Sequence, residues 1–238
     1  THIITMTNIT LYKNFDINNL NTLAIAKNKA GGNQVPITYN GSKMILIQTP
    51  VMTAPFGVSE YTPEGAPVKY SIDLSFKEYE NNPKVKCFLE RMKGLDEHMI
   101  KLGVENSPQW FGKTMSREVV EELYRPLVKP SKQPEKYAPT IKLKIRPGRN
   151  VETMMNVKAF TSDQEEFNMA EFQAGSTIKA IVEIAPIWFV NKQFGISMTI
   201  AQLEIVNQPI GRLNQFAFQD EDDDDIARRN LHEQRIQK

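Results

Sequence analysis

Three cations stand at alternate positions in Ile141-Lys142-Leu143-Lys144-Ile145-Arg146, with apolar residues between them. Successive side chains of a strand point to opposite faces. The spacing therefore predicts Lys142, Lys144 and Arg146 on one face and Ile141, Leu143 and Ile145 packed inward. Same-face neighbours sit about 6.6 Å apart, which lets successive cations follow an extended phosphate chain. The row lies within a wider basic band. From Arg125 to Arg149 there are eight bases (Arg125, Lys129, Lys132, Lys136, Lys142, Lys144, Arg146, Arg149) against one acid, Glu135. Binders of single-stranded nucleic acid join such a track to aromatic side chains on which bases stack. The candidate platforms are Phe56, Tyr61, Tyr70, Trp110, Phe111, Trp188 and Phe189, with Lys113 close behind two of them. Most aromatics of a chain this size are core, so a minority of the seven are expected to reach a ligand. On alternation alone, the cation row suits a solvated outer face as well as a binding one.

Other chemistry has little foothold. Gly112-Lys113-Thr114 matches the end of a phosphate-binding loop, but Ser107 stands where the first glycine belongs. Pro108 removes a backbone donor, and Trp110 and Phe111 add bulk that a phosphate cradle does not admit. The histidines His2, His98 and His232 are dispersed, and no metal-ligand spacing or nucleophile elbow occurs. No catalytic residue, metal or cofactor is expected, and the chain reads as a non-enzyme. The single cysteine, Cys87, excludes an intrachain disulfide and suits a reducing compartment. No signal-peptide pattern and no long apolar run argue for secretion or a membrane span. If Thr1 to Thr5 are foreign to the chain, Met6 is its natural start.

The net charge of +1 conceals a segregation. Residues 220–225 are six consecutive acids, and without their charge the chain would stand at +7. A basic band and an acidic tail on one chain point to a polyanionic partner and to a tail that competes for the same surface.

The elements that must position these groups are strands at both ends and helices between. Val68, Tyr70, Ile72, Leu74 and Phe76 alternate with Lys69, Ser71, Asp73 and Ser75, a strand pattern. Ile45 to Ile47 is a shorter strand, and Pro50 to Pro67 between the two reads as a long ordered loop. Leu23 to Ala26 and Val35 to Tyr39 are weaker candidates. Asn82 and Pro83 start a helix that Gly103 should end, with Val85, Leu89, Met92, Leu95, Met99 and Leu102 as its apolar stripe. Ser116 should cap a second helix over 117–124, followed by an extended connector at 126–139. Strands return at 141–146, 151–160, 177–190 and 193–206, the last two joined near Asn191-Lys192. The fold class is α+β: an antiparallel sheet or barrel with a helical insertion at about 83–125. Residues 1–206 form the folded domain, and 207–238 form an acidic tail expected to be disordered unless bound.

Several blocks carry a resemblance. Met44 to Pro50 with Ala54 to Val58, Tyr70 to Phe76, Trp110 to Lys113 with Met115 to Glu118, and Pro139 to Ile145 resemble signature blocks of a protein family of large nucleocytoplasmic DNA viruses. The last block and Ala180 to Val206 are also similar to single-stranded DNA-binding proteins of the African swine fever virus type. The resemblance spans roughly residues 40–206. It implies an oligonucleotide-binding (OB-type) β-barrel that binds single-stranded DNA without sequence preference in viral replication, repair or recombination. It also implies residence at the viral replication site, in the infected-cell cytoplasm or nucleus or in the virion. The candidate DNA-binding residues are Lys129, Lys132, Lys136, Lys142, Lys144, Arg146, Arg149, Lys113, Phe56, Tyr61, Trp110, Phe111 and Trp188. The tail residues Asp222, Asp223, Asp224, Asp225 and Ile226 are the expected contact for replication proteins, and a homo-oligomer fits the class. The alternative is a viral structural or scaffolding protein whose strands and tail make protein contacts.

Overall fold

The alternations at 68–76 and 141–146 do form strands, and they pair with each other. The structure is a computed structural model that describes residues 8–65, 67–148 and 155–209. Its first strands are β1 (Ile9–Leu11), β2 (Leu20–Thr22), β3 (Ala26–Lys27), β4 (Asn33–Val35) and β5 (Ile37–Tyr39). Then come β6 (Leu46–Gln48), β7 (Met52–Ala54), β8 (Val58–Tyr61) and β9 (Lys69–Ser75). Three helices follow, α1 (Pro83–Glu105), α2 (Ser107–Phe111) and α3 (Arg117–Leu123). β10 (Tyr124–Arg125), β11 (Val128–Lys129), β12 (Thr140–Pro147), β13 (Met155–Asn156) and β14 (Lys158–Thr161) lead on to β15 (Ser176–Ile184). β16 (Ile187–Val190), β17 (Gln193–Gly195) and β18 (Met198–Asn207) complete a mixed α+β architecture made mostly of strands.

Five strands carry the frame. β7 is antiparallel to β9, β9 to β12, β18 to β15 and β15 to β7, while β12 runs parallel to β18. The pairings therefore return to the strand from which they started. Ile72, Leu74, Ile141, Leu143, Ile178, Val182, Met198 and Ile200 lie on the buried face of this ring. A second sheet, in the order β10-β17-β16-β4-β3, shares one continuous apolar core with it.

Helix α1 begins as its sequence dictates. The Asn82 side chain accepts from the amides of Lys84 and Val85, and Pro83 fills the first turn, where a missing N–H costs nothing. Val85, Leu89, Met92, Leu95 and Met99 are buried along one stripe, joined by Phe88. Gly103 does not end the helix, which runs on to Glu105. A Cβ at Gly103 would lie 2.7 Å from Val120 Cγ1 and 2.8 Å from Phe194 Cζ, so the position is glycine because α3 and β17 press on it.

Other expectations are corrected as well. The segment 50–67 contains β7 and β8 and is not one loop. The tract 177–190 breaks after Ile184, where Ala185-Pro186 moves the chain from the first sheet to the second; proline cannot donate to a ladder. Ser116 precedes α3 without a side-chain cap bond, and α2 was not anticipated. Asn191 and Lys192 do make the turn of the β16–β17 hairpin, both at positive φ (50° and 66°), as a two-residue hairpin turn requires. The acidic tail lies outside the described residues.

Candidate nucleic-acid interface

The outward faces of β9 and β12 form one surface. Register places Lys142 opposite Asp73 and Lys144 opposite Ser71. On the far side of β12, Lys129 of β11 stands opposite Thr140, and Thr199 of β18 stands opposite Lys144. Directly opposed residues share a face, so Lys129, Lys142, Lys144 and Lys69 point the same way. At the other edge of β9, Tyr61 of β8 stands opposite Lys69 and belongs to the same face. Lys69 was missed as a site residue, although it belongs to a visible alternation; its partner strand is what gives it meaning.

Within the row the cations are not equivalent. Lys142 Nζ lies 2.9 Å from Asp73 Oδ2 and 3.2 Å from Ser71 Oγ. Arg146 pairs with Glu183 of β15, reaching across β18. Lys179 and Glu204 form a further pair between β15 and β18. Lys144, Lys69 and Lys129 have no carboxylate partner among the described residues. Partial desolvation, followed by the charges of Lys69 and Lys129, holds the Lys144 ammonium below the usual lysine pKa. Lys144 thus marks the centre of a cluster of unopposed positive charge.

The aromatic candidates divide by burial. Phe56, in the turn between β7 and β8, is 66% exposed, and Tyr61 is 64% exposed. Gly57, next to Phe56, takes φ +65°, a conformation that favours glycine and turns the chain into β8. Tyr70 is buried on the inner face. Trp110 and Phe111 are half-buried in a cluster with Phe189 and Phe194, at ring separations of 5.4–6.4 Å. Their faces and edges are engaged largely by one another. Trp188 lies against Gly195, where a Cβ would come within 2.9 Å of its ring, and its Nε1 is buried without a partner. Lys113 is exposed in the turn after α2, beside that cluster. Lys132 and Lys136 are exposed in the connector before β12, and Lys136 Nζ lies 5.0 Å from the centre of the Tyr137 ring. Arg149 and the tail residues Asp222 to Ile226 lie outside the described residues.

One buried carboxylate sets the edge of the basic surface. Asp96 of α1 accepts from Tyr124 Oη at 2.7 Å and from the amides of Leu127 and Val128 at 2.8 and 3.1 Å. Burial pushes its pKa above the usual carboxylate range, against the three hydrogen bonds that favour the ion. These bonds tie the β10–β11 segment to α1 and so locate Lys129 beside β12. Among the described residues, no group of histidine, cysteine or acidic side chains is arranged to hold a metal, and no helix is long and apolar enough to cross a membrane.

Residues 73–220 match the profile of a family of unknown function, DUF5871. No curated protein matches the chain. Among solved structures, gp2.5, a single-stranded DNA-binding protein encoded by bacteriophage T7, is similar at 12% identity and TM-score 0.46, over 74% of this chain and 98% of that one. The single-stranded DNA-binding protein from bacteriophage Enc34, in complex with single-stranded DNA, is similar at 15% identity and TM-score 0.46, over 79% and 98%.

Proposed function

We propose that this chain, which belongs to the DUF5871 family, binds single-stranded DNA, without sequence preference, across the outer face of β9 and β12. Numbered along the chain, the ring strands β7, β9, β12, β15 and β18 pair in the order 1-2-3-5-4-1, with only the third and fifth parallel. That order supports an OB-type five-stranded barrel. Such barrels bind oligonucleotides on strands two and three and on the loops joining strands one to two and four to five. Here strands two and three are β9 and β12. The loop from strand one to two carries Phe56 and Tyr61, and that from four to five carries the β16–β17 hairpin.

The observation that carries the proposal is the meeting of unopposed lysines with an exposed aromatic on that face: Lys144, Lys69, Lys129 and Tyr61. Phosphates would lie along the lysines, and bases would stack on Tyr61 and Phe56. Lys142 and Arg146 lie on the same row, each already paired with an acid, while Lys132, Lys136 and Arg149 add to the basic band. The packed Trp110, Phe111 and Trp188 support the frame. The role we propose is in replication, repair or recombination of viral DNA, with Asp222 to Ile226 offered to a replication partner.

Titration of a fluorescently labelled oligo-dT at rising salt tests the binding. Affinity should fall with a log–log slope of about −0.7 per phosphate contact. Absence of binding at low salt, or binding indifferent to salt, would overturn the proposal and favour a scaffolding role.

A further inference from the structure

We propose that Asp73 and Glu183 are built-in phosphate mimics that attenuate DNA binding, so that a strand crossing this face meets unopposed charge only around Lys144. The inference rests on the DNA-binding face proposed above and goes beyond it by dividing the cation row into opposed and unopposed members. Asp73 Oδ2 sits 2.9 Å from Lys142 Nζ, the position a phosphate oxygen would take in a direct contact. Asp73 is held directly across the ladder from Lys142, and its side chain is only 15% exposed. A carboxylate placed in this way cannot swing clear when a phosphate arrives, and it stays to repel it. Glu183 does the same from further away. It stands opposite Thr199, which stands opposite Lys144, yet its carboxylate bonds Arg146. Along β12 the two opposed cations, Lys142 and Arg146, therefore bracket the unopposed Lys144. The more exposed Arg146–Glu183 pair contributes little to stability, so retention of fold does not require it.

The test is to neutralise each acid at constant shape. Asp73→Asn and Glu183→Gln, singly and together, are titrated with labelled oligo-dT at low and moderate salt. Each should tighten low-salt binding about fivefold, the Coulomb effect of one unit charge at about 4 Å in water. Each should also steepen the salt slope by about 0.7, as one more cation becomes free for phosphate. Unchanged or weaker affinity would overturn the inference, because the acids would then be orienting their cations or idle. Lys144→Ser, measured beside them, separates the two levels. If it weakens binding while the acid variants do not tighten it, the face stands and the attenuation falls. If it changes nothing, the face itself is misplaced and the inference falls with it. Should Asp73→Asn lower the melting temperature, Glu183→Gln decides, since it joins strands that are not hydrogen-bonded neighbours.

Discussion

Lys144 differs from the cations on either side of it in having no acid to answer it among the described residues. Its ammonium is held below the usual lysine value of 10.5, by desolvation first and then by Lys69 and Lys129. The charged form is the one that binds phosphate, so affinity should fall as pH rises through that lowered pKa, earlier than for an ordinary lysine. Phosphate restores the charge, so binding in this window should take up a proton. Lys144→Arg keeps its charge throughout, and oligo-dT titrations from neutral pH towards 10.5 should show a flatter profile for it than for the parent. Parallel profiles would separate Lys144 from the ligand. The same single-residue logic warns against replacing the whole row. Serine at Lys142 and Arg146 would strand Asp73 and Glu183, adding repulsion to lost attraction. For the aromatics, Phe56→Ala and Tyr61→Ala should each cost about 1–3 kcal/mol of binding. The melting temperature should hardly move, because both rings are exposed. Trp110→Ala should do the reverse, lowering stability through the lost aromatic cluster. Equal binding losses for all three would refute this division.

Among the elements, the basic face depends on helix α1, which holds β11 in place from behind. Asp96 of α1 holds Tyr124, Leu127 and Val128, and through them β11 and Lys129. Asparagine there keeps one acceptor but turns the other into a donor facing an amide. The expected loss is about 1–3 kcal/mol, the cost of an unsatisfied buried donor. Since the folded pKa of Asp96 is raised, its ionisation opposes folding. Its favourable contribution is complete below the usual carboxylate pKa of 3.8 and is lost as pH rises through the folded value. The stability gap between parent and Asp96→Asn should therefore be widest in acid and narrow as pH rises through that window. Thermal melts across pH measure this directly, and a gap that widened with pH would show the carboxylate to be favoured by the fold. Gly103 sets the other contact of α1. Alanine would gain about 1 kcal/mol of helix propensity, but its Cβ would meet Val120 and Phe194 well inside contact distance. Overpacking of that kind typically costs about 1–3 kcal/mol, so the glycine is better there than its propensity suggests.

For the whole molecule the governing quantity is the distribution of charge. The six acids at 220–225 bring a chain that would stand at +7 down to +1. A tethered polyanion competes at an effective concentration on the order of millimolar when its linker is short and flexible. Replacing Asp220 to Asp225 by their amides should tighten oligo-dT binding at low salt. The effect should fade as the Debye length shrinks from about 30 Å at 0.01 M to about 10 Å at 0.1 M. Equal low-salt affinities would leave the acidic block a role in partner recruitment or solubility alone.

Which strands alternate, and which side chains each turns outward, is legible in the order of residues alone. A period of two is a local property of an extended backbone, and 69–75 and 141–146 show it without reference to anything else. The start of α1 was equally legible, because Asn82 caps amides only two and three residues away. What those outward side chains face depends on how the strands assemble. Asp73 and Lys142 are 69 residues apart, and Glu183 and Arg146 are 37 apart, so their pairing depends on the register of strands far separated in the chain. Residue type could not sort the aromatics either. Trp110 and Tyr61 are equal candidates as stacking platforms until packing half-buries one against Phe194 and leaves the other exposed beside Lys69. Burial and opposition of charge are relations between distant residues, and the pairing and packing of elements far apart in the chain create them.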